Sequence, residues 1–265
     1  MEKKLPEQPQ GSLETAIHGQ YDINVKAVLT EAWQLTLSCR RPFNLGLLFI
    51  LAIGTIVSIL TSYYMGGVQA IIENPDLTFL LNILITILIW PLLAGVEMMG
   101  VLHASGFTIH TRLIFGYLKR GSWVAVCALL TSILISIGIQ LLIVPGIFLA
   151  VVFSLAIPLV VERNLSPWQA MVVSIKALRH SWLKLLAIYS LLSLALIVFL
   201  IPVYFSLHST LFILSLVLLF FALSYLAPMF YHAKGILYRN IFGLSIYQCD
   251  DHNQSVTPKD DIFIA

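Results

Sequence analysis

Charged side chains are scarce in this chain. Asp, Glu, Lys and Arg make up 11% of the 265 residues, whereas 59% are hydrophobic and the mean hydropathy is +0.92. Soluble domains carry roughly 25% charged residues, so the composition excludes a large water-soluble protein. The formal net charge of +2 is too small to indicate a nucleic-acid partner, and we expect none.

Motifs for metal binding and catalysis are also missing. The three cysteines, Cys39, Cys127 and Cys249, are scattered and form no CxxC or His/Cys cluster, so neither a disulfide framework nor a zinc site is predicted. The chain has no HExxH, GxSxG, GxxxxGK[ST] or GxGxxG sequence. We therefore expect a protein that is not an enzyme, with no catalytic residue, no metal and no cofactor.

The chain has a series of long apolar runs instead. Crossing a bilayer as a helix takes roughly 17–25 residues, and the runs lack the alternation of a membrane β-barrel. The predicted fold is all-α, a polytopic membrane helix bundle with about six transmembrane helices between residues 23 and 240. A disordered cytoplasmic tail is predicted for 1–22, and a second cytoplasmic tail for 241–265. The predicted spans are roughly 45–63, 78–101, 123–143, 147–161, 183–203 and 211–231.

Lys and Arg are distributed asymmetrically along the chain. All fifteen lie before the first predicted span, in two of the loops, or after the last span, and the other three loops have none. Because Lys and Arg are enriched in cytoplasmic loops of membrane proteins, the sequence predicts that both termini are cytoplasmic.

Amphipathic segments precede the first, third and fifth spans, at 25–38, 109–118 and 166–178. Their apolar residues recur at helical spacing, and they are too short to span a bilayer. We expect three cytoplasmic interfacial helices that lie along the membrane surface. Ser166, Pro167 and Gln169 mark the start of the third one, as N-cap, first helical residue and capping-box partner.

A basic residue follows each segment, and an aromatic residue comes three positions later. We expect these six residues to form a lipid interface, with the cations at the headgroups. The pattern also fits a threefold repeat of interfacial helix, anchor and helical hairpin, although the positive-inside and aromatic-belt rules give the same pairs without a repeat. The pairs are Arg40 and Phe43, Arg120 and Trp123, and Arg179 and Trp182.

Glu97 and His103 form a candidate intramembrane polar site. Glu97 follows an uncharged stretch at 78–96, and an acid inside a membrane is a functional candidate by default. It lies near the cytoplasmic end of its span, however, where it could reach headgroups or water, and His103 could be an interfacial residue. A Glu97→Gln substitution is expected to leave the fold intact.

Residues 137–186 carry a resemblance to known proteins. The sequence Ile143-Val144-Pro145-Gly146-Ile147 precedes Ala156-Ile157-Pro158-Leu159-Val160-Val161-Glu162, and an amphipathic segment follows. This resembles the YciC-like family of bacterial inner-membrane proteins and is similar to the membrane domain of some glycerophosphoryl diester phosphodiesterases. The resemblance implies six spans in a bacterial cytoplasmic membrane and supplies no catalytic residues, and the chain has no phosphodiesterase domain.

The sequence leaves two functions open. The basic-ended interfacial helices favour a non-enzymatic protein that interacts with membrane lipids or scaffolds protein partners. Glu97 and the proline-containing spans favour a small-solute transporter or channel. A dry, well-packed bundle would support the first function, and a polar cavity that reaches the middle of the membrane would support the second.

The charge distribution makes a testable prediction about topology. Reporters fused at positions in the basic segments should report cytoplasm, and reporters in the loops without Lys or Arg should report the outer side. A cytoplasmic signal near Asn74 would contradict the six-span topology. The cytoplasmic fusion points are Lys4, Arg112, Arg163 and Lys259, and the outer ones are Asn74 and His208.

Overall fold

The computed structural model describes residues 11–207 and 209–245, and this part of the chain contains helices and no strand. A 3₁₀ turn at Leu118–Arg120 precedes the seventh helix. The α-helices are α1 (Leu13–Ile17), α2 (Val25–Ser38), α3 (Arg41–Tyr64), α4 (Val68–Glu73), α5 (Pro75–Ala104), α6 (Leu113–Gly116), α7 (Gly121–Leu141), α8 (Ile143–Val152), α9 (Ala156–Glu162), α10 (Pro167–Leu178), α11 (Trp182–Ser206) and α12 (Phe212–Phe242).

Six helical segments within the described residues are long and apolar enough to cross a membrane. The predicted all-α, multi-pass membrane bundle is thus confirmed. α5 has 30 residues and α12 has 31, or about 45 Å at 1.5 Å per residue, which exceeds the roughly 30 Å of bilayer hydrocarbon. The six segments are α3, α5, α6 with α7, α8 with α9, α11 and α12.

Burial is concentrated at one end of the bundle. Leu92–Ala104 of α5, α9, and Pro228–Phe242 of α12 are almost entirely buried or half-buried, and we call this region the packed end. The other halves of α3, α11 and α12 expose large apolar side chains such as Leu51 and Phe220. Contiguous apolar surface of this kind is stable against lipid rather than water, so the bundle is held together mainly at the packed end.

α5 and α12 cross with their backbones in contact at the packed end. A Cβ atom on Gly100 would lie 2.3 Å from the carbonyl oxygen of Tyr231, and one on Gly235 would lie 2.2 Å from the carbonyl oxygen of Gly100. No side chain fits at either position. Small residues let membrane helices approach this closely, and the crossing brings the polar neighbours of both glycines within reach of each other.

α2 and α10 match the predicted first and third interfacial helices. Asn24 caps α2, and Ser166 and Gln169 form the predicted capping box of α10. The apolar stripes contact protein: α2 packs on α12 and buries Val28 and Ala32, and α10 packs on α7 and α9. Both helices are therefore part of the packed end.

The predicted middle helix at 109–118 is wrong in length. Gly106 ends α5 with a φ of +89°. Irregular backbone at 107–110 and a turn at 111–112 precede α6, which has four residues and no capping side chain. The segments before α3, α7 and α11 are thus helices of 14, 4 and 12 residues. The threefold repeat stays a prediction.

Both predicted tails are wrong where they overlap the described residues. A Ser12 capping box starts α1, Ala16 is buried, and the Tyr21 hydroxyl donates to the Ala177 carbonyl at 2.7 Å. The polar composition suggested disorder, but α1 is ordered because it packs on α10 and α12. At the other end, α12 continues to Phe242 and Leu244 is buried. Residues 1–10 and 246–265 lie outside the described part.

The Pro145-Gly146 sequence lies inside α8 rather than forming the turn between spans three and four. The turn is the single extended residue Leu142 (φ −156°, ψ 133°). Pro145 occupies the first helical turn, where its missing N–H costs no hydrogen bond. A Cβ atom on Gly146 would lie 2.5 Å from the backbone nitrogen of Ile139, so Gly146 allows α8 to pack closely on α7.

The backbone contact between α5 and α12 makes a prediction about stability. Gly100→Ala should destabilise the protein by roughly 1–3 kcal/mol, the usual cost of overpacking, because the added methyl group meets a carbonyl oxygen. Gly54→Ala is the matched control, since its Cβ would lie 3.5 Å from Ile89, and it should be neutral or stabilise α3 by roughly 0.5–1 kcal/mol. Unfolding in detergent measures both. Equal stability of the two variants would contradict the tight crossing.

Candidate functional site

Glu97 forms an ion pair across the α5–α12 crossing. It lies three residues before Gly100, and its Oε1 is 2.5 Å from Nζ of Lys234, which immediately precedes Gly235. Glu97 is 4% exposed and Lys234 is 6% exposed. The interpretation that Glu97 reaches headgroups or water is therefore wrong, and Lys234 lies inside α12 rather than in a polar segment after the last span.

The buried ion pair of Glu97 and Lys234 contributes to the structure of the α5–α12 crossing. The two charges neutralise each other, while the second carboxylate oxygen of Glu97, Oε2, has no hydrogen-bond partner among the described residues. Desolvating two charges offsets much of their attraction, so such a pair adds little net stability. Removing one partner, however, leaves an isolated buried charge. An arrangement of α5 and α12 that separates the two charges is therefore strongly disfavoured.

His103 lies on the other side of the crossing and belongs to a chain of three polar side chains. Its Nδ1 is 2.9 Å from Nε2 of His232, and Nδ1 of His232 is 3.0 Å from Oγ1 of Thr36. The Thr36 hydroxyl donates its one proton to the Ala32 carbonyl at 2.8 Å. It must then accept from His232 Nδ1–H, so a neutral His232 accepts at Nε2 from His103 Nδ1–H.

The hydrogen-bonded side chains of Thr36, His103 and His232 link three helices, and the described residues form no metal site with them. Thr36 is on α2, His103 on α5 and His232 on α12, and the described residues contain no group of three His, Cys, Asp or Glu side chains that could hold a metal. The Thr36 hydroxyl and both imidazoles are engaged in hydrogen bonds with one another. These three side chains therefore connect α2, α5 and α12.

Phe43 packs on this chain instead of facing lipid. Its ring centroid is 4.6 Å from that of His232, in an edge-on arrangement, and the residue is 0% exposed. The prediction that Phe43 belongs to a lipid interface is therefore wrong. Phe43 lies in the first turn of α3, and its burial depends on His232, which lies 189 positions later in the sequence.

Two more acids bind the packed end of α12. Glu31 on α2 accepts two hydrogen bonds from Arg239, at 2.8 and 3.1 Å, and Arg239 also donates to the carbonyl of Ala104 at the end of α5. A cation at a helix C-terminus satisfies an unpaired carbonyl and complements the helix dipole. The local sequence gives no sign of this group, because its three members are far apart along the chain.

Glu162 forms the second of these contacts, at the end of α9. One carboxylate oxygen accepts from the Tyr238 hydroxyl at 2.7 Å, and the other accepts from the backbone N–H and hydroxyl of Ser245, both at 2.6 Å. Arg163 pairs with Glu162 at 2.9 Å and donates to the Phe242 carbonyl at 2.8 Å. The last turn of α12 is thus fixed to α9.

Two of the three predicted basic–aromatic pairs are engaged within the protein. Arg40 stacks on the ring of Tyr225 at 4.2 Å, and its partner Phe43 is buried. Arg179 donates to the ring nitrogen Nε2 of His180 at 3.4 Å, and Trp182 packs edge-on against Phe148 with ring centroids 5.5 Å apart.

The remaining pair is available to an external partner. Trp123 is 50% exposed, and neither Arg120 nor Trp123 has an ion pair or ring contact with any described residue. The three pairs therefore share a sequence pattern but not an environment.

Cations exceed acids at the packed end. Of the twelve Lys and Arg residues in the described part, four pair with acids, and a hydrogen bond from Lys184 lowers the pKa of Asp22. The other eight have no acidic partner among the described residues, and all lie on segments that meet at the packed end. They are Lys26, Arg40, Arg41, Arg112, Lys119, Arg120, Lys176 and Arg179.

The fold and these contacts define a multi-pass membrane helix bundle with a polar, cross-linked packed end. Comparisons of the chain with protein-family models, with curated proteins and with solved structures found no match.

The buried ion pair reverses the expectation for Glu97→Gln. The amide would leave the Lys234 ammonium buried without a counter-charge, and breaking a buried pair costs roughly 3–5 kcal/mol. Glu73→Gln is the matched control, because Glu73 is exposed on α4 and the same change there should be nearly neutral. Chemical unfolding in detergent compares the two.

A second variant separates loss of the charge pair from loss of the side chains themselves. In Glu97→Leu with Lys234→Met, both charges are replaced by apolar groups of similar size, which is often neutral or stabilising. Recovery of stability in this double variant is expected. If Glu97→Gln proved as stable as Glu73→Gln, the ion pair would not be a structural element.

Proposed function

We propose that this chain is a non-enzymatic, multi-pass protein of a bacterial cytoplasmic membrane, in the family it resembles, and that it binds anionic lipid headgroups on the cytoplasmic side. The observation that carries the proposal is the set of eight Lys and Arg residues without an acidic partner among the described residues. Both termini and the packed end would lie in or next to the cytoplasm, following the positive-inside rule.

The acids of the packed end strengthen this electrostatic argument. Asp22, Glu31, Glu97 and Glu162 are each paired with a cation. Glu14 on α1 has no cation partner among the described residues and offsets one of the eight remaining charges, so a surplus of seven positive charges is left. A basic group near an anionic membrane surface contributes about 1 kcal/mol of attraction. The surplus is therefore large enough to select anionic over zwitterionic lipid.

The environment of Glu97 supports this proposal over a transporter or channel. A transport site needs an acid that solute or water can reach, whereas Glu97 is buried and paired with Lys234. A groove of about 320 Å³ lies between α11 and α12 near Ser206 and Ser215, away from both Glu97 and His103. The transporter has no comparable supporting observation.

Retention of lipid by the purified protein tests the proposal. After equilibration with equal amounts of phosphatidylglycerol and phosphatidylethanolamine, native mass spectrometry should show that the anionic lipid is preferentially retained. Raising the salt concentration should weaken this preference, because salt screens exposed charges. Equal retention of both lipids at low salt would overturn the proposal.

A further inference from the structure

We propose that the segment from Arg112 to Trp123, which we call the α6 segment, is the binding site for one anionic phospholipid of the adjacent leaflet. Lys119 and Arg120 bind its phosphate, and Phe115, Leu118 and Trp123 contact its acyl chains. This inference rests on the proposed lipid-binding function and assigns it to one place in the fold.

Packing fixes the depth of the α6 segment. Ile114 is fully buried, and a Cβ atom on Gly95 would lie 2.5 Å from its carbonyl oxygen. A Cβ atom on Gly121 would lie 3.2 Å from Cβ of Pro91. The segment therefore runs beside Pro91–Gly95 of α5, and Pro91 lies six residues, or about 9 Å, before Glu97 toward the middle of the span.

A contact with α3 confirms this depth. The Phe115 ring lies edge-on to the Phe49 ring with centroids 5.4 Å apart, and Phe49 is the ninth residue of α3. α6 is thus beside the membrane-crossing parts of α3 and α5. A lipid molecule can reach its exposed side chains directly.

Apolar exposure and positive charge coincide on this segment. Phe115 is 48% exposed and Leu118 is 44% exposed, and apolar groups at this depth face acyl chains. The long side chains of Lys119 and Arg120 can extend from the same depth to the phosphate level. Arg112, Lys119 and Arg120 have no ion pair with any described residue. The chain has no Asp or Glu between Glu97 and Glu162. Glu162 lies near Tyr117 of this segment, but its carboxylate is engaged by Arg163, Tyr238 and Ser245.

The chemistry of these residues matches a phospholipid better than a soluble anion. A phosphate accepts charge-assisted hydrogen bonds from Arg and Lys, and the exposed aromatic and leucine side chains fit the hydrocarbon attached to it. The other two basic–aromatic pairs lack this combination, because Phe43 is buried and Trp182 packs on Phe148.

The test compares two double variants that remove the same charge. Lys119→Gln with Arg120→Gln changes the proposed site, and Lys176→Gln with Arg179→Gln removes two exposed cations near α10. In native mass spectrometry with phosphatidylglycerol and phosphatidylethanolamine, the first variant should retain the anionic lipid roughly 30-fold less than the unmodified protein. The second should retain it nearly unchanged.

Further measurements separate a lipid site from a soluble-phosphate site and from misfolding. Millimolar glycerol 3-phosphate should not displace the retained lipid, and displacement would overturn the assignment to a phospholipid. If the first variant unfolds, Arg112→Gln with Lys119→Gln replaces it, because both side chains are exposed. This variant should also lose retention, and unchanged retention would overturn the site.

The outcomes distinguish this inference from the proposed function. An equal loss in the site variant and the α10 variant would mean that the whole basic surface attracts lipid, so the function would stand and the site would be overturned. No preference for anionic lipid in the unmodified protein would overturn both.

Discussion

α5 and α12 touch backbone to backbone at Gly100 and Gly235, and the polar contacts of the packed end depend on this approach. The ion pair of Glu97 with Lys234 lies on one side of the contact, and the hydrogen bond of His103 with His232 lies on the other. A larger residue at either glycine would move the helices apart and break hydrogen bonds and an ion pair that tolerate little displacement. The two glycines allow the close approach of α5 and α12, and the ion pair and the histidine hydrogen bond depend on that approach.

α12 serves as the common partner of the packed end. Its polar residues contact different helices: His232 and Lys234 meet α5, Arg239 meets α2, and Tyr238 meets the end of α9. Glycines and paired charges thus supply specificity where apolar packing alone would allow helices to slide. Toward the other end, where apolar side chains face outward, lipid takes the place of such contacts.

Local features of the sequence predicted the local features of the fold. Long apolar runs identified the membrane helices, and the Ser166 cap identified the start of α10, because hydropathy and capping depend on neighbouring residues. Glu97 was recognised as unusual, but its partner was not, because Lys234 lies 137 residues away. The three basic–aromatic pairs share one local sequence pattern. The local pattern could not distinguish them, because the burial of Phe43 depends on distant helices.

The separation of Glu97 and Lys234 along the chain has a consequence for how the protein is made. Chains are synthesised at roughly 5–20 residues per second, so Glu97 emerges from the ribosome roughly 7 to 27 s before Lys234. Throughout that interval its carboxylate lacks its partner and is stable only where water can reach it. The end of α5 therefore reaches its buried position only after α12 has been inserted, so the packed end closes after synthesis of α12 rather than as α5 is made.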